Sequence, residues 1–294
     1  MTISIRSYAK INWTLDVLFK REDGFHEIRT LYQTVSLYDR LTINAGTSSI
    51  KISCSEPSVP CDQSNLVYKA AELLRDAAGI KAGARIDIEK RIPVAAGLGG
   101  GSSNAAAALL GLSRLWGLEL DRELLIRLAS EIGSDVPFFL FGGTAIGVGR
   151  GEEVYIIDDV TSDNILLVNP GIAVSTAAAY GALGRLTSDR ATRKIPVTLL
   201  AANSGRAAWA TGGNDLEPVV ISIHREIGEL KDRLMELGAT QAMMSGSGAT
   251  VFGVFDNLQM SERARDQFRS EGLWRQLVSA VGRNAYQAGL FEEA

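Results

Sequence analysis

Cysteine and histidine are both scarce, with two of each in 294 residues. Cys54 and Cys61 lie far along the chain from both His26 and His224, so no zinc-type ligand spacing can be built from them. A disulfide across the short Cys54–Cys61 loop is allowed but has nothing else in its favour. Basic charge is not in excess: 30 Lys and Arg stand against 34 Asp and Glu, a net charge of −4 with no Lys/Arg cluster. That leaves no field for a phosphate backbone, so nucleic acid is not an expected partner. No apolar run approaches the roughly 20 residues a membrane span needs. Met1-Thr2-Ile3-Ser4-Ile5-Arg6 has no apolar signal core. The expectation is a cytoplasmic chain without a membrane partner. What remains is a globular composition, 46% hydrophobic and 22% charged, long enough for two domains or one large one.

Glycine, by contrast, is concentrated. In Pro93-Val94-Ala95-Ala96-Gly97-Leu98-Gly99-Gly100-Gly101-Ser102-Ser103-Asn104, four glycines fall within five residues and an alanine run follows. Glycine admits positive φ and lets a backbone approach a ligand closely. Ser102 or Ser103 is placed to cap a helix over Ala105–Leu110. Free N–H groups opening into a helix N-terminus form an anion site, and phosphate is the usual occupant. A flexible turn with no ligand is the alternative. Two specific phosphate motifs fail: a Walker A loop needs a lysine, and none lies between Lys90 and Lys194. A dinucleotide fingerprint needs a third glycine where Ser102 stands, and a second β-α unit where the pattern stays helical.

Elsewhere the pattern is read in order. Residues 3–18 read as a strand, alternating from Ala9 to Val17 with Ile11, Trp13, Leu15 and Val17 on one face and Lys10, Asn12, Thr14 and Asp16 on the other. On periodicity alone Lys10 and Asn12 belong to a solvated face. A second strand covers Glu27–Leu37, with Tyr32 beside Thr30 and Thr34, and a third runs over Arg40–Ser53. Asn65–Ala78 is a helix ending at Gly79, and Ala84–Ile92 is a strand leading into the glycine loop. Helices follow over Ser103–Trp116 and Asp121–Ile132. Ser134-Asp135-Val136-Pro137 opens a further turn, in which Asp135 reads plainly as a capping acid. The spans 143–148 and 154–157 read as strands, and Thr161-Ser162-Asp163-Asn164 is a polar joint. Ile165–Asn169 is a strand, and a helix from Val174 contains Tyr180. Residues 185–208 carry weaker signals. One helix is expected from Glu217 to Leu237 with His224 inside it. Ser245-Gly246-Ser247-Gly248 joins two strands, and the region from Asn257 reads as a helix and a weakly patterned tail.

The glycine loop resembles the second motif of the GHMP kinases, whose loops of this type surround ATP phosphates. Ala9-Lys10-Ile11-Asn12 and Asp23-Gly24-Phe25-His26-Glu27 resemble the N-terminal signature of the branch of that family that acts on a cytidine-diphosphate-linked polyol in the non-mevalonate route to isoprenoids. Phe25 stands where that branch often has tyrosine; ring stacking survives the change and a phenol hydrogen bond does not. The resemblance implies an α+β fold of two domains, residues 1–162 binding ATP and 163–294 completing an inter-domain cleft. It implies Asp135, within Gly133-Ser134-Asp135-Val136-Pro137, as the catalytic acid–base residue with Lys10 orienting the substrate hydroxyl. Asn65 and residues 93–104 would hold ATP. A hydroxyl of Ser102 or Ser103 would reach Mg²⁺. Asn12, Phe25, His26 and Tyr180 would hold cytosine, Tyr32 would reach the substrate phosphates, and Ser245, Gly246, Ser247 and Gly248 would lie at the phosphate end. A monomer or weak homodimer is expected. Two rivals stand beside this: another small-molecule kinase of the family, for mevalonate or homoserine, and a nucleotide-binding regulator that has lost catalysis.

Overall fold

A computed structural model describes residues 1–183, 212–269 and 271–292; the weakly patterned stretch 185–208 lies outside the described residues. The frame is a long hairpin of β1 (Thr2–Lys20) and β2 (His26–Gly46), paired antiparallel. The two strands expected over 27–37 and from Arg40 are therefore one. The break in alternation between them is a bulge: Tyr8 faces Tyr38, yet the next residue, Ala9, faces Val35. The extra residues Ser36 and Leu37 are absorbed without ending the ladder. A second bulge at Trp13 lies between the pairs Asn12–Tyr32 and Thr14–Leu31.

Four more strands join this sheet: β3 (Ile50–Cys54), β4 (Gly83–Glu89), β5 (Thr144–Val148) and β6 (Glu153–Ile156). β2 serves both halves, pairing with β5 through Thr30–Gln33 and with β4 through Arg40–Gly46. Helices α1 (Leu66–Ala78), α2 (Gly100–Leu115), α3 (Arg122–Ile132) and α4 (Phe138–Phe141) share a core with it. Local chemistry sets their ends. The Asn65 side chain accepts from Val67 N and caps α1, Gly79 closes it in the left-handed conformation, and Asp121 accepts from Leu124 N to start α3. The alanine run Ala105–Ala108 is buried throughout, and Gly111 has no room for a side chain against Ile43, so α2 lies close on the sheet.

The second sheet, ordered β10–β7–β9–β8, comprises β7 (Ile165–Asn169), β8 (Gln241–Met244), β9 (Val251–Val254) and β10 (Trp274–Val278). It packs with α5 (Thr176–Leu183), α6 (Glu217–Ile223), α7 (Arg225–Glu236) and α8 (Leu258–Arg269). The helix expected from Glu217 to Leu237 is two helices, because the backbone at His224 leaves the helical region (φ −126°, ψ 84°). The break divides the buried residues Val219 and Val220 from Ile227, Leu230 and Leu234, and both sets enter the second core. The chain passes from the first sheet to the second around Thr161–Asn164. The weakly patterned tail then forms α9 (Arg283–Gly289) and β11 (Phe291–Glu292), and β11 returns to pair with β1 at Ser4 and Ile5.

A third core joins the two sheets. Ala9, Ile11 and Trp13 of β1 pack with Ile165, Leu167, Met243 and Phe252, and Trp13 meets Phe252 edge-on with centroids 5.4 Å apart. This inter-sheet core occupies the apolar face of β1, so the opposite face, bearing Lys10 and Asn12, is pressed toward the glycine loop instead of water. Among the described residues no helix is long and apolar enough to cross a membrane.

Candidate active site

A cavity of about 940 Å³ is lined by residues from β1, β2, the glycine loop, α2, the Ser134–Asp135 turn, α5 and the Ser245–Gly248 loop. Pro93, Val94, Ala95, Ala96, Gly97, Leu98, Gly99, Gly100, Gly101 and Ser102 all line it, as does Asn65. The serines were expected to cap a helix beginning near Ala105. Instead α2 begins at Gly100, with Gly99 at its cap in the left-handed region (φ 69°). The first intrahelical bond of this turn runs from Ser103 N to Gly99 O at 2.9 Å. The N–H groups of Gly100, Gly101 and Ser102 precede it, at the positive end of the helix.

Of the next two motif residues, Ser103 turns away from that mouth, and Asn104 lines the cavity while anchored from behind. Ser103 is buried and accepts a hydrogen bond from Ser7 Oγ at 2.7 Å. Asn104 donates to Ser7 Oγ and Asp39 Oδ2 at 2.8 and 2.9 Å. Of the two hydroxyls proposed for a metal, only that of Ser102 borders the cavity. Among the described residues no group of three or more His, Cys, Asp or Glu side chains is arranged to hold a metal.

Lys10 is 3% exposed, so the solvated face expected from periodicity is not what forms. Its Nζ donates to Asn12 Oδ1 at 2.7 Å and Gly97 O at 3.0 Å, and lies 3.6 Å from Asp135 Oδ2. Three oxygens thus offset the cost of burying the cation. Burial lowers the ammonium pKa, and the Asp135 charge opposes that shift. The Asn12 amide donates to Thr30 Oγ1 at 2.6 Å. With its oxygen on Lys10 and its nitrogen on Thr30, Asn12 holds the lysine at the wall of the cavity, which it also lines. Asp135 follows Gly133, where α3 stops, and its side chain is 32% exposed toward the cavity.

Tyr32 also departs from expectation. Its hydroxyl is directed at Asp135, donating to Oδ1 at 2.9 Å, and is not left open to a substrate phosphate. His26 and Tyr180 come together from β2 and α5, with rings nearly parallel and centroids 5.1 Å apart. Partial burial, and then the Lys20 charge, lowers the His26 pKa, so a neutral imidazole with one donor and one acceptor is presented at pH 7. Phe25 is half-exposed on the cavity wall, beneath the Arg150 guanidinium at 4.9 Å from the ring centroid. In the Ser245–Gly248 loop, Gly246 and Ser247 line the cavity. Ser245 is buried and donates to Gly97 O at 3.0 Å, and Gly248 lies behind it against Gly97, so these two brace the glycine loop. Asn214 clasps the same loop, donating to Met244 O and Gly246 O at 2.9 and 2.6 Å.

Two contributors went unseen in the sequence. Arg150 offers a cation at the cavity wall. Asp39, fully buried, accepts from Lys90 Nζ, the backbone N–H groups of Arg91 and Ile92, and Asn104 Nδ2. It ties the strand entering the glycine loop to the helix leaving it. An acid between Tyr38 and Arg40 carries no local signal of this, because its four donors come from residues 51 to 65 positions away.

A glycine-lined helix N-terminus, faced by a buried lysine and an open carboxylate, defines a phosphotransferase class of site. Comparison with known proteins agrees: the model for the GHMP kinases N terminal domain matches residues 65–143, and that for GHMP kinases C terminal matches 197–272. The 4-diphosphocytidyl-2-C-methyl-D-erythritol kinase of Pelotomaculum thermopropionicum is 42% identical over 271 residues, 92% of this chain and 94% of the relative. A protein of the same name from Bacillus cereus is 45% identical, over 86% of this chain and 88% of the relative. A crystal structure of 4-(cytidine 5'-diphospho)-2C-methyl-D-erythritol kinase superposes with a TM-score of 0.78 at 35% identity, covering 95% of this chain and all of that one. Homoserine kinase from Cytophaga hutchinsonii shares the fold, with a TM-score of 0.73 at 17% identity over 97% of this chain and 96% of that one. The chain belongs to the GHMP kinase family.

Proposed function

We propose that the protein transfers the γ-phosphoryl group of ATP to the 2-hydroxyl of 4-diphosphocytidyl-2-C-methyl-D-erythritol, the substrate class for which its relatives are named. The observation that carries the mechanism is the meeting of Lys10 Nζ and Asp135 Oδ2, 3.6 Å apart, on the wall of the cavity that the glycine loop lines. Asp135 accepts the proton of the substrate hydroxyl as its oxygen attacks the γ-phosphorus and the bond to the ADP oxygen breaks. Lys10 orients that hydroxyl and faces the charge on the transferred group. The N–H groups at the start of α2 hold the β- and γ-phosphates, which is positioning and charge stabilisation more than covalent chemistry. Asn65 and Pro93–Ala96 border the nucleotide. His26, with Phe25 and Tyr180, takes the cytosine.

The donors fit Mg²⁺ in one limited way: a Ser102 hydroxyl is available, with no carboxylate cage among the described residues. That suits an ion held chiefly by nucleotide phosphates and water. When bound it neutralises charge on the phosphates. The same reading takes residues 1–162 and 163–294 as the two domains of a cytoplasmic enzyme, active as a monomer or weak homodimer.

The test is ATP-dependent phosphorylation of the cytidine substrate, with methylerythritol phosphate and mevalonate alongside. Turnover of the cytidine compound alone is expected, and loss of general-base help in Asp135→Asn lowers kcat by about 10²–10⁴-fold. Turnover of mevalonate instead would overturn the substrate. ATP binding without any turnover would leave a regulator.

A further inference from the structure

The geometry points to Tyr32 as a positioning residue that aims the Asp135 carboxylate, leaving Oδ2 beside Lys10 to take the proton. The inference rests on the reading of Asp135 as the proton acceptor. A carboxylate on a turn ahead of a four-residue helix has no helix of its own to fix it, and Asp135 is part-exposed. Its two oxygens are nevertheless distinguished: Oδ1 accepts from the Tyr32 hydroxyl at 2.9 Å, and Oδ2 lies 3.6 Å from Lys10 Nζ.

Tyr32 is built to hold this pose. It is 1% exposed and stands opposite Asn12 in the β1–β2 ladder, next to the strand position that presents Lys10. Its ring stacks on Phe138, three residues beyond Asp135, with centroids 4.8 Å apart and planes 29° apart. The other side of the slot is bare backbone. A Cβ at Gly147 would strike the ring, and one at Gly151 would meet the hydroxyl at 2.5 Å. Burial, and then the Asp135 charge, raises the phenol pKa well above its usual value, so it remains a donor throughout the working pH range. The same β2 residue therefore fixes the turn twice, by stacking on Phe138 and by donating to Asp135. A rigidly held base matters because proton transfer needs its acceptor within hydrogen-bond reach in the reacting complex.

Tyr32→Phe keeps the stack and removes only the donor. A hydrogen bond to a charged group, lost where the carboxylate must be oriented, is expected to lower kcat about 10- to 100-fold. The KM values for ATP and the cytidine substrate should stay within about twofold, because the interaction serves the transition state and not ground-state binding. The same substitution added to Asp135→Asn is expected to cost less than about threefold, since a residue acting through Asp135 has nothing left to aim. Parental kcat in Tyr32→Phe, full additivity with Asp135→Asn, or a raised KM for the cytidine substrate with kcat intact would each overturn the inference. The last result would return Tyr32 to the substrate phosphates. High activity in Asp135→Asn itself would instead overturn the functional reading beneath it. If Tyr32→Phe proves unfolded by its melting curve, Gly147→Ala, which crowds the ring from behind, is expected to give the same kcat-selective loss, and parental kcat there would sink the idea.

Discussion

Gly97→Ala tests how closely the two phosphate-end loops must approach. Gly97 has φ 76°, and an added Cβ would lie 2.9 Å from Gly248 O, 3.1 Å from Gly248 N and closer still to Ser245 O. All three obstacles are backbone, so no side chain can swing aside. Reaching ordinary contact near 3.5 Å requires at least about 0.6 Å of separation at Gly248 and more at Ser245. That movement strips Gly97 O of its two donors, Lys10 Nζ and Ser245 Oγ, each now at 3.0 Å. The left-handed backbone costs about 1–2 kcal/mol for alanine, and the two lost hydrogen bonds add about 1 kcal/mol each. At about 2–4 °C per kcal/mol for a chain of this size class, Tm should fall by roughly 6–16 °C. Activity should suffer more, because a displacement on the order of 1 Å at a catalytic group costs about 10²-fold. The assay is coupled ADP release with the cytidine substrate, beside a thermal melt. Gly101→Ala is the stability control: its nearest neighbour is Leu66 Cδ1 at 3.8 Å, and it should melt at or above the parent. A Gly97→Ala protein with parental Tm and kcat/KM would refute the close-approach argument.

Asp39→Ala leaves the Lys90 ammonium buried without its counter-charge and frees Asn104 and two backbone donors. Breaking a buried pair from one side costs about 3–5 kcal/mol. A large drop in the denaturation midpoint with a raised KM for ATP is expected, and an unchanged midpoint would count against Asp39 as the tie. At the chain's end, hydrogen bonds from Arg40 first, and from Ser4 and Arg6, hold the Glu292 carboxyl down to about 2, from an ordinary 4.5. A depressed carboxylate stabilises the fold above its unfolded pKa and loses that contribution as pH falls through the folded one. Stability should therefore decline between about pH 4.5 and 2, and Glu292→Gln should flatten that part of the curve in acid titrations followed by circular dichroism.

Legibility followed range. The helices over 65–78 and 121–132, the Gly79 stop and the strand of β1 are written within a few residues, and all appear in the structure. The division of 217–237 at His224 was not legible, because helical periodicity continues on both sides and only packing against the second sheet breaks it. The same holds for β2, whose continuity through Ser36 and Leu37 depends on its partner, and for β11, whose two residues are a strand only because β1 offers them an edge.

By itself the sequence determined the glycine loop, the helix that follows it, and the residue types a phosphoryl-transfer site requires at Lys10 and Asp135. These depend on backbone freedom and short-range hydrogen bonding, which adjacent residues decide. The tertiary structure decided what each side chain is for. The apolar face of β1 is taken by the second sheet, so Lys10 is driven inward onto Gly97 and Asp135 instead of out into water. Ser103, Asn104 and Asn12 find internal partners for the same reason: burial obliges every polar group to be satisfied, and which partner it finds is set by segments that meet only in three dimensions.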